Sequence, residues 1–112
     1  MTNAVRSAEI LERLFRLIES RKGGDPAASY TAKLLADGKG RAAKKLGEEA
    51  TETVIAAMAG TPSELVRESA DLLYHLLVLW AAAGVEPNEV WAELARREGT
   101  SGHAEKAARP KS

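Results

Sequence analysis

The sequence predicts an all-α protein, a small bundle of about four to five helices. Three observations carry this. Ala, Leu, Glu, Lys and Arg, all strong helix formers, dominate the chain. Its glycines fall where helical apolar periodicity breaks off. No segment shows the strict apolar–polar alternation of a strand. At 112 residues the chain is long enough for one core, so residues 1–112 read as a single domain with a polar tail over 100–112.

The elements follow in order. Ser7 is placed to cap a first helix, whose residues Ile10, Leu14, Leu17 and Ile18 recur at helical spacing. Gly23 and Gly24 end it, and a loop around Asp25-Pro26 follows. A short helix spans Tyr30 to Ala36 and stops at Gly38. A third runs from Arg41 to Ala59, with Gly60 as its stop. Thr61-Pro62 reads as an N-cap followed by proline at the first helical position. The fourth helix continues to Ala83 and ends at Gly84. Pro87 opens a fifth, which reaches Glu98. From Thr100 onward the chain carries Ser, Gly, Lys and Pro and little that is apolar, and it reads as a polar tail.

The fourth helix is apolar on all sides after Asp71: Leu72, Leu73, Leu76, Leu77, Val78, Leu79 and Trp80. Such a helix must be surrounded. A chain this small cannot cover it alone, so a homodimer with this helix near the interface is expected. Trp80 and Trp91 read as core or interface residues.

Composition excludes several classes. Lys plus Arg number 16 and Asp plus Glu 16, a net charge of zero. That argues against nucleic-acid and membrane-surface partners, which call for a basic excess. The absence of cysteine rules out disulfides, thiolate metal sites and cysteine nucleophiles, and fits a cytoplasmic location. The N-terminus has Glu9 and Glu12 and no long apolar run, so it does not read as a signal peptide. The apolar stretch Leu72 to Val85 falls short of the roughly 20 residues a membrane span needs.

Chemistry is concentrated in two acidic clusters, Glu48-Glu49-x-x-Glu52 and Glu68-x-x-Asp71. Helical residues advance by about 100°, so with Glu48 at zero, Glu52 lies near 40° and Glu49 near 100°. Lys45 and Arg41 share that face. Leu46, Ala50 and Ala57 lie roughly opposite, where the helix is expected to meet its core. Glu68 and Asp71 stand about 60° apart on the fourth helix. His75 lies between them in projection and, within its apolar run, reads as a hydrogen-bonded core histidine. If the two helices pack antiparallel, five carboxylates converge on one cleft. Divalent cations relieve the resulting repulsion. Hard oxygen donors of this kind suit Mg²⁺, with Mn²⁺ as the alternative, and such ions hold polyphosphates. Asp37-Gly38-Lys39-Gly40-Arg41 lacks the spacing of a P-loop and reads as a turn between helices.

The paired signature resembles the all-α nucleoside triphosphate pyrophosphohydrolases of the MazG-like superfamily. Ser29-Tyr30-Thr31, Lys45-Leu46-Gly47-Glu48-Glu49-Ala50-Thr51-Glu52, Glu68-Ser69-Ala70-Asp71-Leu72-Leu73-Tyr74-His75 and the end Arg97 to Arg109 are together similar to the phosphoribosyl-ATP pyrophosphohydrolase family. The resemblance covers Leu11 to Arg109. It implies Mg²⁺-dependent hydrolysis of phosphoribosyl-ATP to phosphoribosyl-AMP and pyrophosphate, the second step of histidine biosynthesis. It also implies Glu48, Glu49, Glu52, Glu68 and Asp71 as metal ligands. One of these carboxylates, or a metal-bound hydroxide, is implied to activate the attacking water; Glu49, at the edge of the arc, is the preferred candidate, with Glu48 beside it. Lys45, with Arg41, is implied to contact a phosphate or to balance the acidic cluster, and Ser29, Tyr30 and Thr31 to shape the substrate pocket. The length and the lack of cysteine suggest a stand-alone protein without a fused zinc-dependent partner domain.

Two alternatives share parts of this pattern. A house-cleaning pyrophosphohydrolase acting on other nucleoside triphosphates would use the same carboxylates. A non-enzymatic helical dimer would explain the apolar fourth helix, but not two acidic clusters bordering it.

Overall fold

A computed structural model describes residues 7–99 and 102–110, with nothing described of the side chains at 104 and 105. Among the described residues six helices follow one another: α1 Glu9–Ser20, α2 Tyr30–Asp37, α3 Lys39–Ala59, α4 Pro62–Ala83, α5 Pro87–Arg97 and α6 Gly102–Ala108. No strand occurs among the described residues.

The centre of the fold is the α3–α4 hairpin, whose helices share the most extensive interface in the molecule. Only Gly60 and Thr61 separate the two, so the helices must run antiparallel. The turn is set by side-chain chemistry. The Glu64 backbone N–H donates to Thr61 Oγ1, and the Thr61 N–H donates to Glu64 Oε1, both at 3.2 Å. This reciprocal capping box satisfies two donors at the start of α4. At the other end Gly84 takes φ 75°, a left-handed conformation open to glycine at little cost, and the Val85 N–H closes the helix onto the Trp80 carbonyl at 2.9 Å.

α1 and α2 cover one side of the hairpin. Phe15 and Ile18 from α1, Leu34 from α2, Ala42 from α3, and Leu77, Val78 and Ala81 from α4 form the core. α5 is tied back to α1 by polar contacts. Trp91 Nε1 donates to Glu12 at 3.1 Å, and Arg16 reaches Glu86 at 2.8 Å. Trp91 also meets Trp80 edge-to-face at 5.8 Å between centroids, a favoured aromatic geometry.

Some boundaries and faces differ from expectation. Ala8 occupies the N-cap of α1, and Ser7 Oγ reaches only the Glu9 N–H, at 3.4 Å. The core face of α1 passes through Phe15 and Ile18, leaving Ile10 and Leu17 exposed. α1 ends at Ser20, before the two glycines. α3 begins at Lys39, because Gly38 alone, at φ 95°, turns the chain between α2 and α3. A sixth helix lies in the tail, where Glu105, Lys106, Ala107 and Ala108 outweigh the flanking glycine. On α3 the buried positions are Ala42 and Ala56, while Ala57 is exposed. The helix therefore meets α4 on the side carrying Glu49, not on the side opposite its acids.

The all-round apolar α4 is only partly covered. Val66 and Leu73 remain exposed, as do Val54, Ile55 and Met58 on α3, with Met58 83% accessible. The Cα radius of gyration is 16.2 Å, above the roughly 13 Å of a compact domain of about 100 residues.

Candidate active site

The site is built from four positions on two rods. Glu49 and Glu52 lie one turn apart on α3, and Glu68 and Asp71 one turn apart on α4. Antiparallel packing brings the pairs face to face. Thr53 stitches the register: its hydroxyl lies 2.8 Å from the Glu49 carbonyl on its own helix and 3.2 Å from the Glu68 carbonyl across the seam.

One oxygen each from Glu49, Glu68 and Asp71 falls within a group whose members all lie within 4.8 Å of one another. Opposite oxygens of a Mg²⁺ octahedron are roughly 4 Å apart, so small side-chain movements would bring these three onto one ion. Glu52 joins from the side: its carboxyl interacts with both Glu49 and Glu68. The Glu49 carboxyl is held above the usual carboxylate range, first by burial and then by Glu52 and Asp71. Glu68 is raised for the same reasons, burial first and then Glu52 and Asp71. Both causes disfavour the charged form, and a divalent cation would reverse both. Glu49 Oε2 is moreover buried without a hydrogen-bond partner. All-oxygen donors, mutual repulsion and an orphaned carboxylate oxygen together fit a hard divalent cation.

Beside the cluster lies a cavity of about 320 Å³, lined by Glu52, Ile55, Ala56, Glu64, Arg67 and Glu68. One turn past Asp71 on α4, the His75 ring meets Tyr74 edge-on at 4.9 Å and Tyr30 at 6.3 Å between centroids.

Known proteins are similar to this sequence over most of its length. The profile described as phosphoribosyl-ATP pyrophosphohydrolase matches residues 11–98. The chain belongs to the phosphoribosyl-ATP pyrophosphohydrolase family. A protein of Paramagnetospirillum magneticum named phosphoribosyl-ATP pyrophosphatase is 63% identical over 106 residues, covering 95% of this chain and 97% of its own. Proteins of the same name from Caulobacter sp. and Parvibaculum lavamentivorans are 68% and 62% identical, each over 102 residues, 91% of this chain and 94% of theirs.

Against this family background, the residues expected at the site separate into three groups. Glu49, Glu52, Glu68 and Asp71 come together. Glu48 does not join them: it is exposed and paired with Lys45 at 3.1 Å. Lys45 is the first cause that lowers the Glu48 carboxyl, and Lys44 and Arg41 act in the same direction. The Lys45 ammonium is in turn raised, chiefly by its bond to Glu48. Glu48, Lys45 and Arg41 thus form a mixed-charge patch on the outer side of α3. The third group lies on α2. Ser29 is its N-cap, accepting from the Ala32 N–H at 3.1 Å, and the Thr31 hydroxyl is hydrogen-bonded to that of Tyr74. Only Tyr30 of the three presents a largely free side chain, 53% exposed.

One residue escaped the sequence reading and another was read only in part. Arg67 lines the cavity among three glutamates. Its position one residue before Glu68 was the available signal. His75 is buried as expected, at 6% exposure, and its Nδ1 lies 2.9 Å from the Asp71 carbonyl. Its Nε2, however, is buried without a partner, so the ring is only half satisfied.

Proposed function

We propose that the protein hydrolyses phosphoribosyl-ATP to phosphoribosyl-AMP and pyrophosphate, the second step of histidine biosynthesis, with Mg²⁺ bound by Glu49, Glu52, Glu68 and Asp71. The observation that carries the chemistry is the convergence of Glu49, Glu68 and Asp71 within 4.8 Å across the α3–α4 seam. The substrate rests on the family and on relatives named for it across nearly their whole length. Mn²⁺ would serve the same oxygen donors.

Cleaving between the α and β phosphates requires neutralising charge on the leaving pyrophosphate, and a bound divalent cation supplies that neutralisation. The chain's own side chains do the rest. Glu49, whose carboxyl borders the cluster from α3, is the side chain assigned to take a proton from the attacking water. Arg67, a cation on the cavity wall, is suited to pair with the phosphates of a substrate. Tyr30 offers an aromatic surface to the nucleoside portion, with Ser29 and Thr31 fixing the helix that carries it. Lys45 and Arg41 balance Glu48 on the approach to the site.

The working unit is a homodimer in the cytoplasm. The exposed apolar side chains of α3 and α4 and the open shape of the single chain support this. No described helix is long and apolar enough to cross a membrane.

Pyrophosphate release from phosphoribosyl-ATP, with and without Mg²⁺ and beside ATP and dUTP, tests the reading. Mg²⁺-dependent release from phosphoribosyl-ATP alone is the expected result. Release from the controls only would move the protein to house-cleaning chemistry, and release from none would leave a non-catalytic helical module.

A further inference from the structure

Antiparallel packing lays the site out as a line. The Thr53 hydroxyl lies 3.2 Å from the Glu68 carbonyl, which fixes the register of α3 on α4. From the hairpin turn outward, α4 presents Glu64 and Arg67, then Glu68 and Asp71, then Tyr74 and His75. α3 runs beside it in the reverse order, with Ile55 and Ala56 nearest the turn, then Glu52 and Glu49, then Lys45. Asp71 stands midway between Arg67 and His75 in sequence, about 6 Å from each along the helix axis.

The two ends of this line differ in chemistry. Toward the turn lies the cavity of about 320 Å³, with Arg67 in its wall beside Glu52, Glu64 and Glu68. Despite these glutamates, the Arg67 guanidinium makes no ion pair among the described residues. Its one hydrogen bond there runs from Nη1 to Ser63 Oγ, at 3.3 Å. A guanidinium carries five N–H donors in a planar fork that matches phosphate oxygens, so most of the fork is open. Glu64, its neighbour one turn away, is occupied by the Thr61 cap. Away from the turn the site is aromatic. Tyr30 is exposed and meets the His75 ring, which in turn meets Tyr74. The cation at that end, Lys45, is taken up by Glu48 at 3.1 Å.

We propose that the substrate lies along the seam in one direction, with its β and γ phosphates in the cavity beside Arg67 and its nucleoside end toward Tyr30. The proposal rests on the function inferred above and adds the direction. The α–β link then falls at the carboxylates between the two ends, and pyrophosphate departs from the side of the hairpin turn. Arg67 is thereby a specificity residue: it recognises the phosphates beyond the scissile link. A nucleoside monophosphate ends at the carboxylates and does not reach it.

Calorimetric titration with the two products reads the direction without turnover. The probes are inorganic pyrophosphate and phosphoribosyl-AMP, each in the presence of Mg²⁺. Arg67→Gln should weaken pyrophosphate binding about 10- to 100-fold, the scale of a lost charge-assisted hydrogen bond, and leave phosphoribosyl-AMP within about twofold. Tyr30→Ala should do the reverse, weakening phosphoribosyl-AMP about fivefold or more, as expected for a lost stacking surface. Arg67→Lys keeps the charge without the fork and should fall between wild type and Arg67→Gln; if Arg67→Gln does not fold, it carries the same contrast. Circular dichroism and sedimentation check that the variants keep their fold and association state. Loss of phosphoribosyl-AMP rather than pyrophosphate in Arg67→Gln would reverse the direction and overturn the proposal. Equal losses of both products, or wild-type affinity for both, would overturn it too. A wild type that binds neither product and releases no pyrophosphate from phosphoribosyl-ATP would overturn the underlying function instead, so the two failures are distinct.

Discussion

Replacing Glu49 by glutamine should make the protein more stable and less active at once. Glu49 shares a group of oxygens within 4.8 Å with Glu68 and Asp71, and burial adds to the cost of its charge. Two unit charges about 4 Å apart repel by about 1 kcal/mol in water and more at lower effective dielectric. Glutamine keeps the shape and removes both repulsions, so a gain of roughly 1–2 kcal/mol is expected without metal. For a chain of this size that raises Tm by about 5–10 °C. In the wild type, Mg²⁺ at 100 times its Kd should add about 2.7 kcal/mol by binding only the folded state. The variant should lose most of that increment together with its turnover. The assay is thermal denaturation followed by circular dichroism, in EDTA and in excess Mg²⁺, beside pyrophosphate release. A variant that melts below the wild type in EDTA, or that keeps the full Mg²⁺ shift, would refute the reasoning.

Other outcomes follow from the same structure. Glu48→Gln should leave the Mg²⁺-dependent Tm shift intact and turnover within a few-fold, because Glu48 faces Lys45 rather than the cluster; loss of the metal shift in calorimetry would return Glu48 to the ligand set. The raised carboxyls of Glu49 and Glu68 mean the folded protein binds more protons than the unfolded chain just above the ordinary carboxylate value of 4.5. Their contribution to metal-free stability therefore falls as pH rises from that value through the raised folded-state value, and urea titrations at stepped pH should show a smaller fall in Glu49→Gln. Glu93 runs the other way: Arg96 and then Arg97 hold it down to about 2, so what it contributes is present above about pH 4.5 and is lost on acidification toward 2. Thr61→Ala removes the cap of α4 and should cost about 1 kcal/mol, read as a lower urea midpoint with an unchanged slope. Met58→Glu, at an 83% exposed apolar position, should shift the protein from dimer to monomer in analytical ultracentrifugation; an unchanged sedimentation coefficient would place the interface elsewhere.

Much of this was legible in the chain because it depends on local signals. Thr61-Pro62 with Glu64 announces a helix start, and Gly84 a stop, from rules that act within one turn. The acidic spacings could be projected onto helical faces for the same reason. What could not be read was which face each helix turns inward. The arc around Glu48 groups Glu48, Glu49 and Glu52, yet a rotation of about 100° separates a residue in the seam from one in solvent. Only the packing of α4 decides that Glu49 enters while Glu48 stays outside with Lys45. Similarly, Ser29 and Thr31 looked like substrate contacts, but their hydroxyls are engaged by the Ala32 N–H and by Tyr74. The half-satisfied His75 was invisible because an unpaired ring nitrogen is a property of the packed seam, and the sequence shows only a histidine in an apolar run.

The two-residue turn at Gly60-Thr61 has a consequence for how the enzyme comes into being. The carboxylates on either side of it are only about 20 residues apart along the chain, so closing that loop costs little entropy. A Cβ on Gly60 would lie 3.0 Å from the Ala56 carbonyl oxygen and 3.2 Å from Glu64 Oε2, which leaves room for little but glycine at the bend. Contacts this local form early and fast. The four carboxylates of α3 and α4 thus belong to one local hairpin, whose closure does not depend on the contact between the α5 tryptophan and α1.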